Sequence, residues 1–185
     1  MASSRREQIL DCAATLFAER GYHGVSVHDI GAACGISGPA LYRHFAGKPA
    51  LLGDMLVGIS EELLSVGRER AAAADSAAAA LDALIDWHID FALRHPALIV
   101  VQEREWSNLP PDGRESVRSL QLAYIDVWVE VVRELRPELD RRTARAAVQA
   151  GFGLLNSTPH SARLAESAMR ELLHAMATAA LADRS

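Results

Sequence analysis

Apolar residues recur every three or four positions along nearly the whole chain. In SRREQILDCAATLFAER (4–20), Ile9, Ala13, Leu16 and Phe17 share one face at helical spacing. Gly21 follows as a C-terminal stop. SVHDIGAAC opens a second helix: Ser26 is a hydroxyl cap, and Asp29, three residues on, fits a capping box. Gly35 breaks it. SGPALYRHF is a third, short helix capped by Ser37, with Pro39 in the first turn, where its missing N–H does no harm. A fourth helix starts near Lys48–Pro49 and runs through LLGDMLVGISEELLSVGRER. The alanine tract 71–80 is a connector or the start of a fifth helix. Its composition favours helix over disorder.

From residue 76 the elements lengthen. One helix runs to His95 and stops before Pro96; a shorter one covers about 97–107; NLPPDG is a loop. A long helix, 112–136, is apolar around much of its girth and ends at Pro137. Asp140 caps RRTARAAVQAGFGLLN, STPHS interrupts, and the last helix runs from about 161 to 182. No segment carries a strand signal. The pattern predicts an all-α chain of about nine helices. A head of three short helices (1–48) precedes a body of longer ones (49–185).

Composition changes this picture little. Half of the 185 residues are hydrophobic, enough for a real core. Cys12 and Cys34 both sit in apolar helical patterns and read as reduced core residues. No apolar run is long enough to span a bilayer, and MASSRREQIL does not read as a secretory signal, so the expectation is a cytoplasmic protein without a membrane partner. Charge is more telling in its distribution than in its total of −5. Residues 1–48 carry five basic and four acidic groups, +1; the remainder carries 14 and 20, −6. A near-neutral head on an acidic body permits nucleic-acid binding at the head only.

Within the head, DIGAACGIS has the order a helix-turn-helix requires. Ile30 faces the core, Gly31 is small where the next helix crosses, and Gly35 supplies a turn tolerant of positive φ. Ile36 then plugs the core, and Ser37 caps the second helix. Leu41 and Phe45, at i and i+4, turn inward. Ala40, Tyr42, Arg43 and His44 are left to face outward or flank. Tyr, Arg and His exposed together suit phosphate and base-edge contacts in a major groove. Tyr42 packed on the first helix is the bland alternative. A metal site from His23, His28 and His44 lacks ligand spacing and thiol partners.

The stretch FAERGYHGVSVHDIGAACGISGPALYRHFAGKPALL (17–52) resembles the TetR family of transcriptional regulators, and the head from Arg5 does so more loosely. The resemblance implies that the helix holding Tyr42 and His44 is the recognition helix. It implies phosphate contacts at Ser26, Ser37, Tyr42, His44 and Lys48, and base selection from the more variable Gly38, Pro39, Ala40 and Arg43. Arg43 suits a bidentate guanine contact. Three departures stand out: Gly38 and Pro39 where many members carry a lysine near position 38, Gly47 where a hydroxyl often caps helix four, and Gly31 in place of a commoner alanine.

The resemblance also implies a two-fold dimer on an inverted repeat of double-stranded DNA, with recognition helices ~34 Å apart. The last two helices are the expected dimer contact, through Ala147, Gly151, Leu164, Ala168, Leu172 and Ala175. The helices between would surround a small-molecule effector. Its candidate lining is Trp87, Phe91, Trp106, Trp128 and Phe152, with polar groups from His88, Gln102, Glu103, Tyr124, Gln149 and Asn156. For any single aromatic, plain core packing is the simpler reading. In VVQEREW, Glu103 and Arg104 lie on different faces, one expected inside. Asp82, Asp86 and Asp90 form an i, i+4, i+8 ridge that reads as a solvated face, with cation binding as the alternative.

Together these point to a ligand-responsive transcriptional regulator, most simply a repressor released by a small, largely apolar effector such as an acyl-CoA, a lipid catabolite or a hydrophobic drug. Helix 49–66 would be the lever from body to head. No cofactor, metal or catalytic residue is expected. No nucleophile–base pair or phosphate loop favours the enzyme alternative. An architectural DNA-binding protein without a ligand is the other alternative.

Overall fold

A computed structural model of the chain describes residues 4–182. Every regular element among them is helical: α1 Arg5–Arg20, α2 Val27–Ala33, α3 Gly38–Tyr42, α4 Lys48–Ala73, α5 Ala77–Arg94, α6 Pro96–Glu105, α7 Pro111–Leu135, α8 Arg141–Leu155, α9 Thr158–Ser161 and α10 Glu166–Ala182. A single 3-10 turn, Trp106–Asn108, follows α6. The all-α expectation holds.

Serine caps open the first three helices. Ser4 and Ser26 each form a full capping box, with Glu7 and Asp29, and Ser37 accepts the Ala40 N–H. The alanine tract belongs to two helices: α4 runs on to Ala73, and Ser76 caps α5 by accepting the Ala79 N–H at 3.2 Å. α3 is shorter than its pattern suggested. Regular helix ends at Tyr42, although Phe45 N–H still bonds the Leu41 carbonyl at 3.1 Å and keeps the turn going. STPHS, expected as a break, holds α9, where Pro159 stands in the first turn. It is anchored by the buried Thr158, whose hydroxyl donates to the Ala92 carbonyl at 2.7 Å.

The chain packs as two units. The first comprises the described residues up to Ile59 together with Ala97–Arg118. Its core joins Ile9, Phe17, Ile30, Leu41 and Phe45 of the first three helices and their flanks to Leu51, Leu52, Met55 and Leu56 of α4. Val101, Leu109 and Val117 complete it. The head expected to end at residue 48 therefore shares one core with the start of α4 and with segment 97–118. Burial of these aliphatic side chains is what draws them in.

The second unit comprises Ser60–Pro96 and the described residues from Ser119 onward. α5 packs on α10, and α8 on both α10 and α5. Gly151 is the close-approach point: a Cβ there would sit 3.3 Å from Leu181 Cδ1. Gly151 thus serves packing of α8 on α10 within the chain, because a hydrogen stands where a Cβ would press on the Leu181 side chain. Leu164, expected on the final helix, lies before it at 55% exposure, since α10 begins only at Glu166.

Candidate nucleic-acid interface and effector core

The turn between α2 and α3 is built from two glycines. Gly35 takes φ +66°, the left-handed region that glycine enters without cost. At Gly31 a Cβ would lie 2.8 Å from the Ile36 carbonyl oxygen, and Ile36 N–H bonds the Gly31 carbonyl at 2.8 Å. The glycine that departs from the family's commoner alanine is thus required by the tight crossing in this chain. Leu41 and Phe45 are buried under α3, and Tyr42, Arg43 and His44 are exposed, with Tyr42 at 58%. Ser37 and Pro39 are exposed, and Gly38 and Ala40 half-buried.

Two of the expected phosphate contacts have other partners. The Ser26 hydroxyl accepts the Asp29 N–H and donates to the Asp29 carboxylate. That hydrogen bonding holds the Asp29 carboxyl below its ordinary pKa. Lys48 is half-buried, and its ammonium donates to the Tyr22 and Val25 carbonyls at 2.6 and 2.7 Å.

In the second unit, four rings converge on His88. Phe152 stacks at 4.8 Å between centroids and Tyr124 at 5.9 Å, while Phe91 and Trp128 meet His88 edge-on at 5.6 and 6.0 Å. His88 Nε2 lies 2.9 Å from Asn156 Oδ1, and Nδ1 lies 3.4 Å from the Tyr124 hydroxyl. The neutral imidazole satisfies both: Nε2–H donates to Asn156, and Nδ1 accepts from Tyr124. Burial opposes the charged form and pushes the His88 pKa down to about 4, against a smaller upward pull from Asn156. Burial likewise raises Tyr124. Gly67 on α4 makes room for this cluster, since a Cβ there would come within 2.5 Å of the Tyr124 ring. Nothing in the sequence marks Gly67 for this role, since it is one glycine inside a long helix.

The remaining effector candidates lie elsewhere. Trp87 is buried, its indole N–H reaching the Leu63 carbonyl at 3.4 Å with the Arg70 guanidinium 5.2 Å over its ring. Gln149 is exposed on α8. Gln102, Glu103 and Trp106 belong to the first unit, outside the His88 cluster. Glu103 and Arg104 are both exposed, and the buried charge is their neighbour Glu105, at 6% exposure.

The acidic ridge on α5 is paired rather than simply solvated. Asp90 bridges Arg94 at 3.1 Å and Arg170 of α10 at 2.6 Å. Asp82 and Asp86 face His174 of α10 at 2.8 and 3.8 Å. This trio is, among the described residues, the one group of three possible metal ligands, within 4.8 Å of one another; His23, His28 and His44 form no such group. The outer faces of α8 and α10 expose Ala146, Ala150, Gly153, Ala168, Leu172, Ala175 and Met176, and Ala147 is half-buried. No helix among the described residues is long and apolar enough to cross a membrane.

A glycine-turned helix pair presenting Tyr, Arg and His at the surface, ahead of a longer all-helical unit, defines a helix-turn-helix regulator. Residues 9–55 match the family model of bacterial regulatory proteins, tetR family, and residues 74–160 that of the tetracyclin repressor-like C-terminal domain. The chain belongs to the TetR family of DNA-binding transcriptional regulators, a family of regulators and not of enzymes. It is similar to the HTH-type transcriptional repressor KstR2 of Rhodococcus jostii, with 32% identity over 131 residues, 70% of this chain and 64% of that protein. The matched stretch thus spans just under two thirds of that relative's length. A TetR-family regulator from Bordetella parapertussis has a TM-score of 0.84 at 25% identity, covering 97% of this chain and 95% of that one. The regulator FadR from Bacillus subtilis, solved in complex with stearoyl-CoA, shares the fold with a TM-score of 0.70 at 19% identity, covering 94% and 98%.

Proposed function

We propose that this protein is a repressor that binds an inverted-repeat operator as a homodimer and releases it when a small, largely apolar effector enters the body. The observation that carries the reading is the exposed run Tyr42–Arg43–His44, at the end of α3 and in the turn that continues it, fixed by buried Leu41 and Phe45. Such a face offers a phenol, a guanidinium and an imidazole to a groove, and a guanidinium there can bond a guanine edge bidentately. The exposed apolar outer faces of α8 and α10, Leu172 and Met176 among them, are the surface we assign to the second copy.

The His88 cluster is the effector site we favour. Its polar groups, His88, Tyr124 and Asn156, carry no formal charge, so the buried part of the effector is apolar with at most a hydrogen-bonding group. A fatty-acyl thioester meets that description, and FadR of Bacillus subtilis supports it as a class. The effector must prefer the DNA-incompetent state, because equal affinity for both states shifts nothing. A coupling of about 1–3 kcal/mol weakens operator binding roughly 5–150-fold.

The test uses the duplex that the protein selects from a random-sequence library. Stearoyl-CoA titrated into the complex is expected to release DNA and to change tryptophan fluorescence through Trp128. Release without a fluorescence change removes the His88 cluster as the site. Enrichment of no repeat, with binding indifferent to sequence, favours the architectural alternative.

A further inference from the structure

The last turn of α6 grips the end of α1 and the loop beyond it. Arg104 Nη1 donates to the Ala18 carbonyl at 3.1 Å, one of the α1 carbonyls left without an intrahelical donor. Glu105 Oε1 accepts the Tyr22 N–H at 3.1 Å, and Oε2 accepts the Asn108 amide at 2.7 Å. Gly21, at φ +73°, lets the chain turn beside that carboxylate; a Cβ there would lie 3.7 Å from Oε1. The same segment is held from its other side by Lys48, whose ammonium bonds the Tyr22 and Val25 carbonyls and sits 4.2 Å from the Tyr22 ring centroid. Tyr22 is therefore fixed at its N–H by α6 and at its carbonyl and ring by α4. Four residues later comes Ser26, the cap of α2.

A carboxylate this buried is tolerated only with donors on it, and its removal would leave the Tyr22 N–H without a partner. Two of the three ammonium hydrogens of Lys48 are taken by loop carbonyls, which fixes the side chain on the loop and leaves one N–H for any other acceptor. We propose that Glu105 and Lys48 are positioning residues for DNA recognition. Glu105, outside the helix-turn-helix segment, sets the α1–α2 loop, and Lys48 locks that loop to α4 instead of contacting the DNA backbone. The proposal rests on the operator-binding reading above.

Operator affinity and its salt dependence test this, with the full-length protein and the duplex selected by the wild type. Glu105→Ala is expected to weaken binding about tenfold or more, as loss of a buried hydrogen-bond partner predicts, with an unchanged salt slope. The measurement is made where circular dichroism shows the variant folded. Glu105→Gln keeps the acceptor for Tyr22 and is expected to recover most of the affinity. Lys48→Met is expected to weaken binding while leaving the slope of log affinity against log salt unchanged. Loss of a phosphate contact would flatten that slope by about 0.9 per phosphate. Wild-type affinity in Glu105→Ala, a Glu105→Gln variant as weak as Glu105→Ala, or a flattened slope in Lys48→Met overturns the proposal. If Glu105→Ala does not fold, the Lys48→Met slope decides. A wild type that selects no repeat fails the regulator reading itself, which is a different result.

Discussion

The proposed recognition helix and the proposed effector core hold the same residue types in opposite surroundings. α3 and the turn after it present Tyr42 and His44; the core gathers Tyr124 and His88. Tyr42 is 58% exposed and Tyr124 5%, and His44 is exposed where His88 is 3% exposed. Solvation makes the difference. An exposed imidazole is free to meet a phosphate, whereas the buried His88 is held neutral and exchanges hydrogen bonds with Tyr124 and Asn156. Residue type alone thus says little about role. The helix that carries a residue, and what lies under that helix, say more.

Substitutions should separate the two regions sharply. Trp128→Ala empties a fully buried site and is expected to cost about 3–5 kcal/mol in denaturant unfolding. A cost near that of a surface change would dissolve the contrast. The next effect is pH-dependent. Unfolded His88 takes a proton near its ordinary 6.5, folded His88 only near 4. Below pH 6.5 the unfolded state binds more protons, so stability falls as pH drops from about 6.5 to about 4 and levels off beneath. The loss from this one group is on the order of 3 kcal/mol. His88→Gln is expected to flatten that stretch of the stability–pH curve, and an unchanged curve would mean His88 is not held neutral. Gly31→Ala should cost about 1–3 kcal/mol by forcing a methyl against the Ile36 carbonyl, read as a lowered melting temperature. Smallest is Tyr42→Ala, expected to stay within about 0.5 kcal/mol of wild-type stability while operator affinity drops. A large stability loss there would show that Tyr42 is a packing residue.

Much of the fold was legible because helical periodicity, serine caps and glycine stops agree along the chain. The helix-turn-helix was legible for the same reason: Ile30, Gly31, Gly35, Ile36 and Ser37 must occur in that order for the turn to close. What escaped depends on partners distant in sequence. Glu105 reads as one more charge in VVQEREW, and only its bond to Tyr22, 83 residues away, makes it a buried residue. The acidic ridge was visible on α5, but Arg170 and His174, which pair with it, sit on α10. Lys48 matched the family pattern, but two loop carbonyls hold its ammonium.

The central claim is that the exposed face of α3 and the turn that follows it read an inverted repeat. Sequencing the duplexes enriched from one random library by the wild type and by Arg43→Ala tests it most directly. The wild type is expected to return two half-sites about 34 Å apart, with a guanine fixed at one position in each. Arg43→Ala should return the same repeat with that position relaxed, a loss of about 1–3 kcal/mol of discrimination. No repeat from the wild type, or the same unrelaxed sequence from both proteins, would contradict the account.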